Sequence, residues 1–336
     1  MLDSLGSGQF GVVYKARNKG TKGLVALKII RSPDEQTAEA VLAEAQALRK
    51  ADNKHTISVN TAFNEFGNGQ FLSLIDMPLV TGGNLGKLYL EDQLSIRDIL
   101  KATRHILFGL SGAHSVGVTH RDVKPSNVLV DGANFLLGDF GLAKTANTAL
   151  ADLPSYTRHH PPELNMFHSL YDPSASAEDT YDVYATGITL YRLMGEKRNY
   201  PIAERAFTSW MKNPNHKTLP NHIGYPLYVP RKIKSIIERA TSLSPENRYQ
   251  SANEMRRAVE RLVVDINWVI PPQLPKWEAT KSLGKNYSVE LLRSKDKFIF
   301  AHKVNGRKPR DFTNYVGTRE NCLRELSKFV AKTMIR

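Results

Sequence analysis

The most constraining feature of this 336-residue chain is THRDVKPSNVLVDGANFLLGDFGLAK, residues 119–144. Two short apolar runs flank a central Asp-Gly pair, which predicts two strands joined by a tight hairpin turn. Such a hairpin returns Asp139 to the side of Asn127. Carboxylate and amide oxygens suit Mg²⁺, which takes one or two protein ligands and completes its shell with water and phosphate. Asp122 is left over, and a carboxylate near a metal-bound phosphate can accept a hydroxyl proton.

A glycine-rich stretch near the start, GSGQFG at residues 6–11, leads directly into VVYKA. The same glycine spacing occurs in dinucleotide sites, but there it follows a strand and opens a helix. Here a strand pattern follows the glycines. This favours a hairpin whose backbone N–H groups approach phosphate oxygens, with a plain flexible turn as the alternative.

A single lysine, Lys28, interrupts the apolar strand pattern LVALKII. A buried ammonium group needs a counter-charge. The next segment has helical spacing, and we expect Ser32 to cap that helix. Glu44 lies on the apolar side of the helix and is the predicted partner of Lys28, whereas Glu39 lies off that side and is the weaker alternative. A Lys28 that points to solvent from an edge strand is the structural alternative.

The remaining patterns divide the chain into three parts. Residues 1–80 are mostly β with one helix, and residues 81–265 are mostly helical, beginning with a long helix capped by Ser95 and Asp98. Residues 266–336 begin with a proline-rich connector and continue with two paired strands and a helix. This ββα segment is either an appended module or an extension packed on the helical part.

The motifs occur in an order and spacing that resemble those of the protein kinase family. Besides the glycine-rich stretch they are VALK at 25–28, HRDVKPSN at 120–127, DFG at 139–141, PPE at 161–163, DVYATG at 182–187 and PENR at 245–248. The resemblance covers residues 1–265. It implies an α+β, bilobal protein-kinase-like fold with an N-lobe at about residues 1–80 and a C-lobe at 81–265.

The resemblance also implies an activity. A lysine two residues after the motif aspartate is similar to the pattern of serine/threonine-directed kinases, so a serine/threonine protein kinase is expected. Its cofactors would be ATP and Mg²⁺, with Mn²⁺ as an alternative metal, and its substrate would be a protein.

Each matched residue then acquires an implied role. Asp122 is the expected base, Lys124 the contact to the transferring phosphate, and Asn127 and Asp139 the metal ligands. The implied ATP-binding residues are Leu5, Gly6, Ser7, Gly8, Gln9, Phe10, Gly11, Val13, Ala26, Lys28, Glu44 and Leu129. The implied structural residues are Arg121, Glu163, Asp182 and Arg248.

Arg121 carries a regulatory expectation. An arginine beside the base needs an anionic partner, and in this family a phosphate on the activation segment commonly supplies it; carbonyls or an acidic side chain are the alternative. The candidate phosphorylation sites are Thr145, Thr148, Ser155, Tyr156 and Thr157.

Two stretches depart from the family pattern or are hard to align with it. SYTRHHPPEL puts Tyr156 and His159 where relatives usually carry Thr and Tyr, and LIDMPLVTGGN leaves open whether Ile75 or Met77 guards the back of the adenine pocket.

Charge is concentrated near the end of the sequence. The chain has a net charge of +13, and residues 266–336 alone carry fifteen Lys and Arg against six Asp and Glu. An acidic protein or a nucleic acid is therefore a candidate partner of this basic segment.

The single cysteine, Cys322, excludes an intrachain disulfide and is expected to be buried on a helix. Neither a membrane span nor a signal peptide is predicted, so a cytoplasmic enzyme is expected.

Two functions compete. The first is an active kinase that also phosphorylates itself. The second is a pseudokinase scaffold whose basic segment binds an acidic partner or nucleic acid. Loss of Lys28, Asp122, Asn127 or Asp139 would favour the scaffold, and none of them is lost. The sequence therefore favours the active enzyme.

Overall fold

The N-terminal lobe is an antiparallel sheet with strand order β1-β2-β3-β5-β4. Its strands are β1 Ser4–Gly8, β2 Gly11–Arg17, β3 Leu24–Ser32, β4 Thr61–Gly67 and β5 Gln70–Pro78, and helix α1 spans Glu35–Lys50 between β3 and β4. This computed structural model describes residues 3–8, 11–51, 53–67, 69–91, 94–140, 157–164, 178–195, 200–212, 217–271, 276–282 and 284–336. The predicted β-rich lobe with one helix is confirmed.

The predicted cap of α1 is wrong by two residues. Ser32 is the last residue of β3, where it pairs with Phe71 and is buried. Asp34 caps the helix instead, and its carboxylate accepts a hydrogen bond of 2.7 Å from the N–H of Thr37. An aspartate is favoured here because its negative charge also lies at the positive end of the helix dipole.

The second lobe is helical, as predicted. Its elements are α2 Leu85–Leu90, α3 Ile96–His114, β6 Val128–Asp131, β7 Asn134–Leu137, α4 Glu178–Leu193, α5 Tyr200–Lys212, α6 Leu219–Ile223, α7 Arg231–Ala240 and α8 Ala252–Glu260. Ser95 and Asp98 form the predicted capping box of α3. Across the described residues, no helix combines the length and apolarity that a bilayer span needs.

Residues 266–336 contain more strands than the predicted ββα segment. They form a sheet of β8 Trp268–Val269, β9 Lys276–Ser282, β10 Lys285–Ser294, β11 Lys297–Val304 and β12 Tyr315–Gly317, followed by α9 Arg319–Met334. The two predicted strands are β10 and β11, and the predicted helix is α9. Cys322 is buried on α9 as expected. The acidic or nucleic-acid partner of this segment stays a prediction.

This segment packs on the helical lobe. The fully buried Trp277 lies edge-on to Tyr228, which precedes α7, with 4.7 Å between the ring centroids. The side chain of Asn267 accepts a hydrogen bond of 2.8 Å from the N–H of Arg97 at the start of α3. Val269 pairs with Ser95. Of the two arrangements left open by the sequence, the structure has the packed extension.

A buried histidine makes this segment sensitive to acid. His302 on β11 lies among the rings of Tyr287, Phe312 and Phe329, and within the described residues neither of its ring nitrogens has a hydrogen-bond partner. Burial lowers the pKa of His302 below its ordinary value, and the nearby Asp311 opposes this only partly. Below about pH 6.5 the unfolded imidazole binds a proton while the folded one stays neutral, so the free energy of unfolding falls with pH until the folded pKa is reached.

We therefore expect His302→Phe to reduce the loss of stability between about pH 7 and about pH 5. Phenylalanine fills the same aromatic cluster and takes up no proton. Urea unfolding of both proteins across this range measures the effect. An unchanged pH dependence in the variant would contradict the role given to His302.

Candidate active site

The β6–β7 hairpin brings together the two predicted metal ligands. Val128 pairs with Leu137, and the N–H of Gly138 donates a hydrogen bond of 2.9 Å to the backbone oxygen of Asn127. Asp139 follows directly, with a left-handed backbone φ of 56°. The predicted return of Asp139 to the side of Asn127 is therefore found.

Asp122 lies at the centre of a polar cluster. Its Oδ2 atom is 2.8 Å from the Lys124 ammonium and 3.0 Å from the amide nitrogen of Asn127. The same amide nitrogen also donates to the backbone oxygen of Asp122 at 2.9 Å. Both bonds fall on Oδ2, so Oδ1 has no hydrogen-bond partner among the described residues and can accept a further proton donor. The three predicted catalytic side chains thus share one site.

The loop that carries Asp122 is held by Asp182, a fully buried residue on α4. The Asp182 carboxylate accepts hydrogen bonds of 2.8 Å from the backbone N–H groups of His120 and Arg121. Arg121 has a left-handed φ of 61°, which a non-glycine residue adopts only at some energetic cost. The two hydrogen bonds to a buried carboxylate offset that cost and fix the direction in which Asp122 points.

His120 is a second brace for this loop, and the sequence offered no role for it beyond its place in the motif. Its Nδ1 accepts from the N–H of Asp122 at 3.2 Å, so Nε2 carries the proton and donates to Gly138 O at 2.9 Å. Burial lowers the pKa of His120 and keeps the ring neutral. The imidazole therefore ties the Asp122 loop to the residue that precedes Asp139.

Lys28 has a different ion-pair partner from the predicted one. Its ammonium lies 2.6 Å from Oδ1 of Asp139 and 3.2 Å from the backbone oxygen of Phe140. Glu44 is buried on α1, but the ion pair of Lys28 is with Asp139. Burial raises the pKa of Asp139, but the charge and hydrogen bond of Lys28 outweigh this and hold the pKa below its ordinary value. The pairing follows from the left-handed turn at Asp139, which a strand pattern cannot reveal.

The glycine-rich hairpin is closed by Gly8 and Gly11, which pair across β1 and β2. A Cβ atom on Gly11 would lie 2.3 Å from the backbone oxygen of Ile29, so only glycine fits against β3 at this point. Leu5 on β1 is largely exposed. Gln9 and Phe10 lie outside the described residues, as does the side chain of Ser7.

The predicted apolar walls converge on one face of the sheet. Val13 pairs with Lys28 across β2 and β3, and Ala26 pairs with Met77 across β3 and β5. The side chain of Leu129 on β6 packs close to Gly138. A Cβ atom added to Gly138 would lie 3.3 Å from it. Ile75 is 1 % exposed and belongs to the core, whereas Met77 is half-buried opposite Ala26. This geometry favours Met77 at the back of the adenine pocket.

The predicted phosphorylation sites fall mostly outside the described residues, which include Thr157 but not Thr145, Thr148, Ser155 or Tyr156. Thr157 is exposed, and its N–H donates to the Nδ1 atom of His160 at 3.1 Å. Phosphorylation of these residues and the phosphate-sensing role of Arg121 stay predictions.

Glu163 and Arg248 form a bidentate ion pair in the core of the helical lobe. The two N–O distances are both 2.7 Å, and both side chains are almost fully buried. The Arg248 guanidinium also lies over the ring of Tyr184. This pair anchors the end of the segment that carries the predicted phosphorylation sites.

We expect Glu163→Gln to lower the free energy of unfolding by about 3–5 kcal/mol, because it leaves the buried Arg248 charge without a counter-charge. The surface pair of Arg256 and Glu260 on α8, whose glutamate is exposed, provides a matched control. Glu260→Gln should cost about 0–1 kcal/mol. Chemical unfolding of both variants measures the difference, and equal losses would contradict the assignment.

The donor set around Asp139 suits a weakly held, hard cation. The described residues contain no cluster of three or more His, Cys, Asp or Glu side chains that could cage a metal ion. One amide oxygen from Asn127 and one carboxylate from Asp139 fit Mg²⁺, which keeps waters and phosphate oxygens in its shell. They do not fit a structural zinc site, which needs four nitrogen or sulfur ligands.

A β-rich lobe joined to a helical lobe, with an Asp–Lys–Asn cluster and a Lys–Asp pair between them, defines a phosphotransferase type of fold. Residues 1–259 match the sequence model of the protein kinase domain, so the chain belongs to the protein kinase family.

Known relatives agree with this assignment. The chain is 27 % identical to a probable serine/threonine-protein kinase of Clostridium acetobutylicum, over 75 % of this chain and 38 % of the relative. It is 26 % identical to the serine/threonine-protein kinase PknL of Mycobacterium tuberculosis, over 87 % of this chain and 71 % of the relative. It is 28 % identical to the serine/threonine-protein kinase PrkC of Bacillus subtilis, over 77 % and 40 %. The chain therefore spans about two fifths of the length of the clostridial relative and of PrkC.

Proposed function

We propose that the chain transfers the γ-phosphate of ATP to serine and threonine hydroxyls of proteins, including its own, with Mg²⁺ as the metal. Family membership makes ATP and a divalent metal the expected requirements. The observation that carries the proposal is the cluster in which Lys124 and Asn127 both bond to one oxygen of Asp122. That cluster leaves the other oxygen to accept a hydroxyl proton.

In this proposal each side chain has a distinct task. Asp122 Oδ1 accepts the proton of the substrate hydroxyl and orients its oxygen toward the phosphate. Lys124 offsets the negative charge that develops on the phosphoryl oxygens. Lys28 binds phosphate oxygens. Its ammonium group then bonds to these oxygens as well as to its present partner, Asp139. Asn127 and Asp139 hold the metal, which when bound neutralises charge on the phosphates.

The nucleotide is proposed to lie under the glycine-rich hairpin. Val13, Ala26 and Leu129 would enclose the adenine, and the backbone of the hairpin, closed by Gly8 and Gly11, would cover the phosphates. The pseudokinase alternative gains no support, because Lys28, Asp122, Asn127 and Asp139 are all present and are brought together in one site.

The proposal is tested by incubating the purified protein with Mg²⁺ and γ-labelled ATP, alone and with a generic basic protein. Mass spectrometry should find new phosphate on serine or threonine. Phosphotyrosine alone, or no transfer at all, would overturn the proposal. Omission of the metal should abolish transfer, and its re-addition should restore it.

A further inference from the structure

A groove lies on the protein surface away from the Asp122 cluster. It has a volume of about 830 Å³ and is open rather than enclosed. Its walls come from the end of α1, the loop that follows α1, the segment after β5, helix α3 and the β6–β7 hairpin. Elements of both lobes therefore line it, and none of the residues proposed for phosphate transfer does.

The groove has an apolar floor. Phe108 on α3 is 37 % exposed, and Leu79 and Leu136 are half-buried beside it. The guanidinium of Arg256, which forms an ion pair with Glu260, lies over the Phe108 ring at 4.2 Å. An exposed aromatic ring in a groove offers an anchor for one large apolar side chain.

The described residues of the lining carry an excess of positive charge. Arg49 and Lys54 line the groove and are exposed, and Lys101 and Arg104 precede Phe108 on α3 by about two turns and one turn. Within the described part of the chain none of these four cations takes part in an ion pair or hydrogen bond, although ion pairs elsewhere on the surface are frequent. Among the described residues of the lining, Asp131 is the acidic one.

Two histidine rings lie close together beside these cations. His55 lines the groove, and the centroid of its ring lies 3.9 Å from that of the His105 ring. Burial, followed by the charge of His55 and then of Lys101 and Arg104, lowers the pKa of His105 to about 4. Burial and the charges of Lys54 and Lys101 lower the pKa of His55 as well. The cations near the groove therefore add to burial in opposing protonation of both rings.

We propose that this groove binds an acidic peptide segment of a partner protein, with carboxylates on Arg49 and Lys54 and one large apolar side chain on Phe108. The open shape suits an extended chain better than a small enclosed ligand. Because both lobes contribute to the groove, a bound segment bridges them. The proposal extends beyond the phosphate-transfer function and does not depend on it.

The test is a fluorescence-anisotropy titration of the full chain, without ATP, with a labelled peptide of Asp and Glu around one Phe. We expect saturable binding that weakens with salt, and at least tenfold weaker binding for Arg49→Glu combined with Lys54→Glu. Phe108→Ala should weaken binding independently of salt. A peptide in which Lys replaces the acidic residues should not bind.

The matched control is Lys285→Glu combined with Lys308→Glu, two exposed cations of residues 266–336. This variant should bind the acidic peptide like the unmodified protein. Loss of binding in this control, but not in the Arg49 and Lys54 variant, would overturn the proposal and place the acidic partner on the basic segment. No saturable binding by the unmodified protein would also overturn it. Thermal unfolding of each variant establishes that it is folded.

Discussion

Asp122→Ala should reduce phosphate transfer by about 10²–10⁴-fold while leaving ATP binding largely intact. The variant removes the carboxylate to which Lys124 and Asn127 are bonded, and with it the proposed acceptor of the hydroxyl proton. The nucleotide-binding groups lie on other elements. Lys28 is on β3, and the glycine-rich hairpin joins β1 and β2. This variant should therefore bind ATP and yet transfer phosphate slowly.

The measurement has two parts. Labelled-phosphate transfer gives the rate, and a fluorescent ATP analogue gives the affinity. Asp131→Asn is a matched control, because Asp131 is an exposed carboxylate at the end of β6, outside the Asp122 cluster. It should transfer phosphate at the rate of the unmodified protein. Undiminished transfer by Asp122→Ala would show that Asp122 takes no part in the mechanism. Loss of ATP binding in this variant would show that Asp122 has a structural role instead.

The parts of the site that could be predicted from the sequence are those fixed by local geometry. Two short strands around an Asp-Gly turn leave little freedom, so Asp139 had to return to Asn127. Only a short 3-10 turn separates Asp122 from Asn127, and it brings the two side chains together. In the same way the capping box of α3 depends only on residues Ser95 and Asp98.

Several of the predictions that failed depended on distant contacts or on short elements. The sequence could rank Glu44 above Glu39 as the partner of Lys28, but Asp139 is more than a hundred residues away and its approach depends on a left-handed turn. Strands β8 and β12 are too short to show a period of two. No role was predicted for Trp277, which packs against Tyr228 in another part of the chain.

Residues 266–336 are joined to the helical lobe by backbone as well as side-chain contacts. The N–H of Asp265 donates to the backbone oxygen of Met334 at 3.0 Å, and the N–H of Arg336 donates to the backbone oxygen of Val263 at 2.9 Å. Trp268, Trp277, Val330 and Met334 are fully buried in a core that they share with α3, α7 and α8. Removal of the segment would expose this apolar surface and leave the N-terminal end of α3 without the Asn267 hydrogen bond.

We therefore expect truncation after Asp265 to give an insoluble or partly unfolded protein, and Trp277→Ala in the full chain to lower the free energy of unfolding by about 3–5 kcal/mol. The control is Val316→Ser, since Val316 on β12 is 51 % exposed and its replacement should change stability by no more than about 0.5 kcal/mol. Solubility, circular dichroism and urea unfolding measure these effects. A truncated protein that is soluble, unfolds cooperatively at an unchanged urea midpoint and retains transfer would show that the kinase lobes fold without this segment.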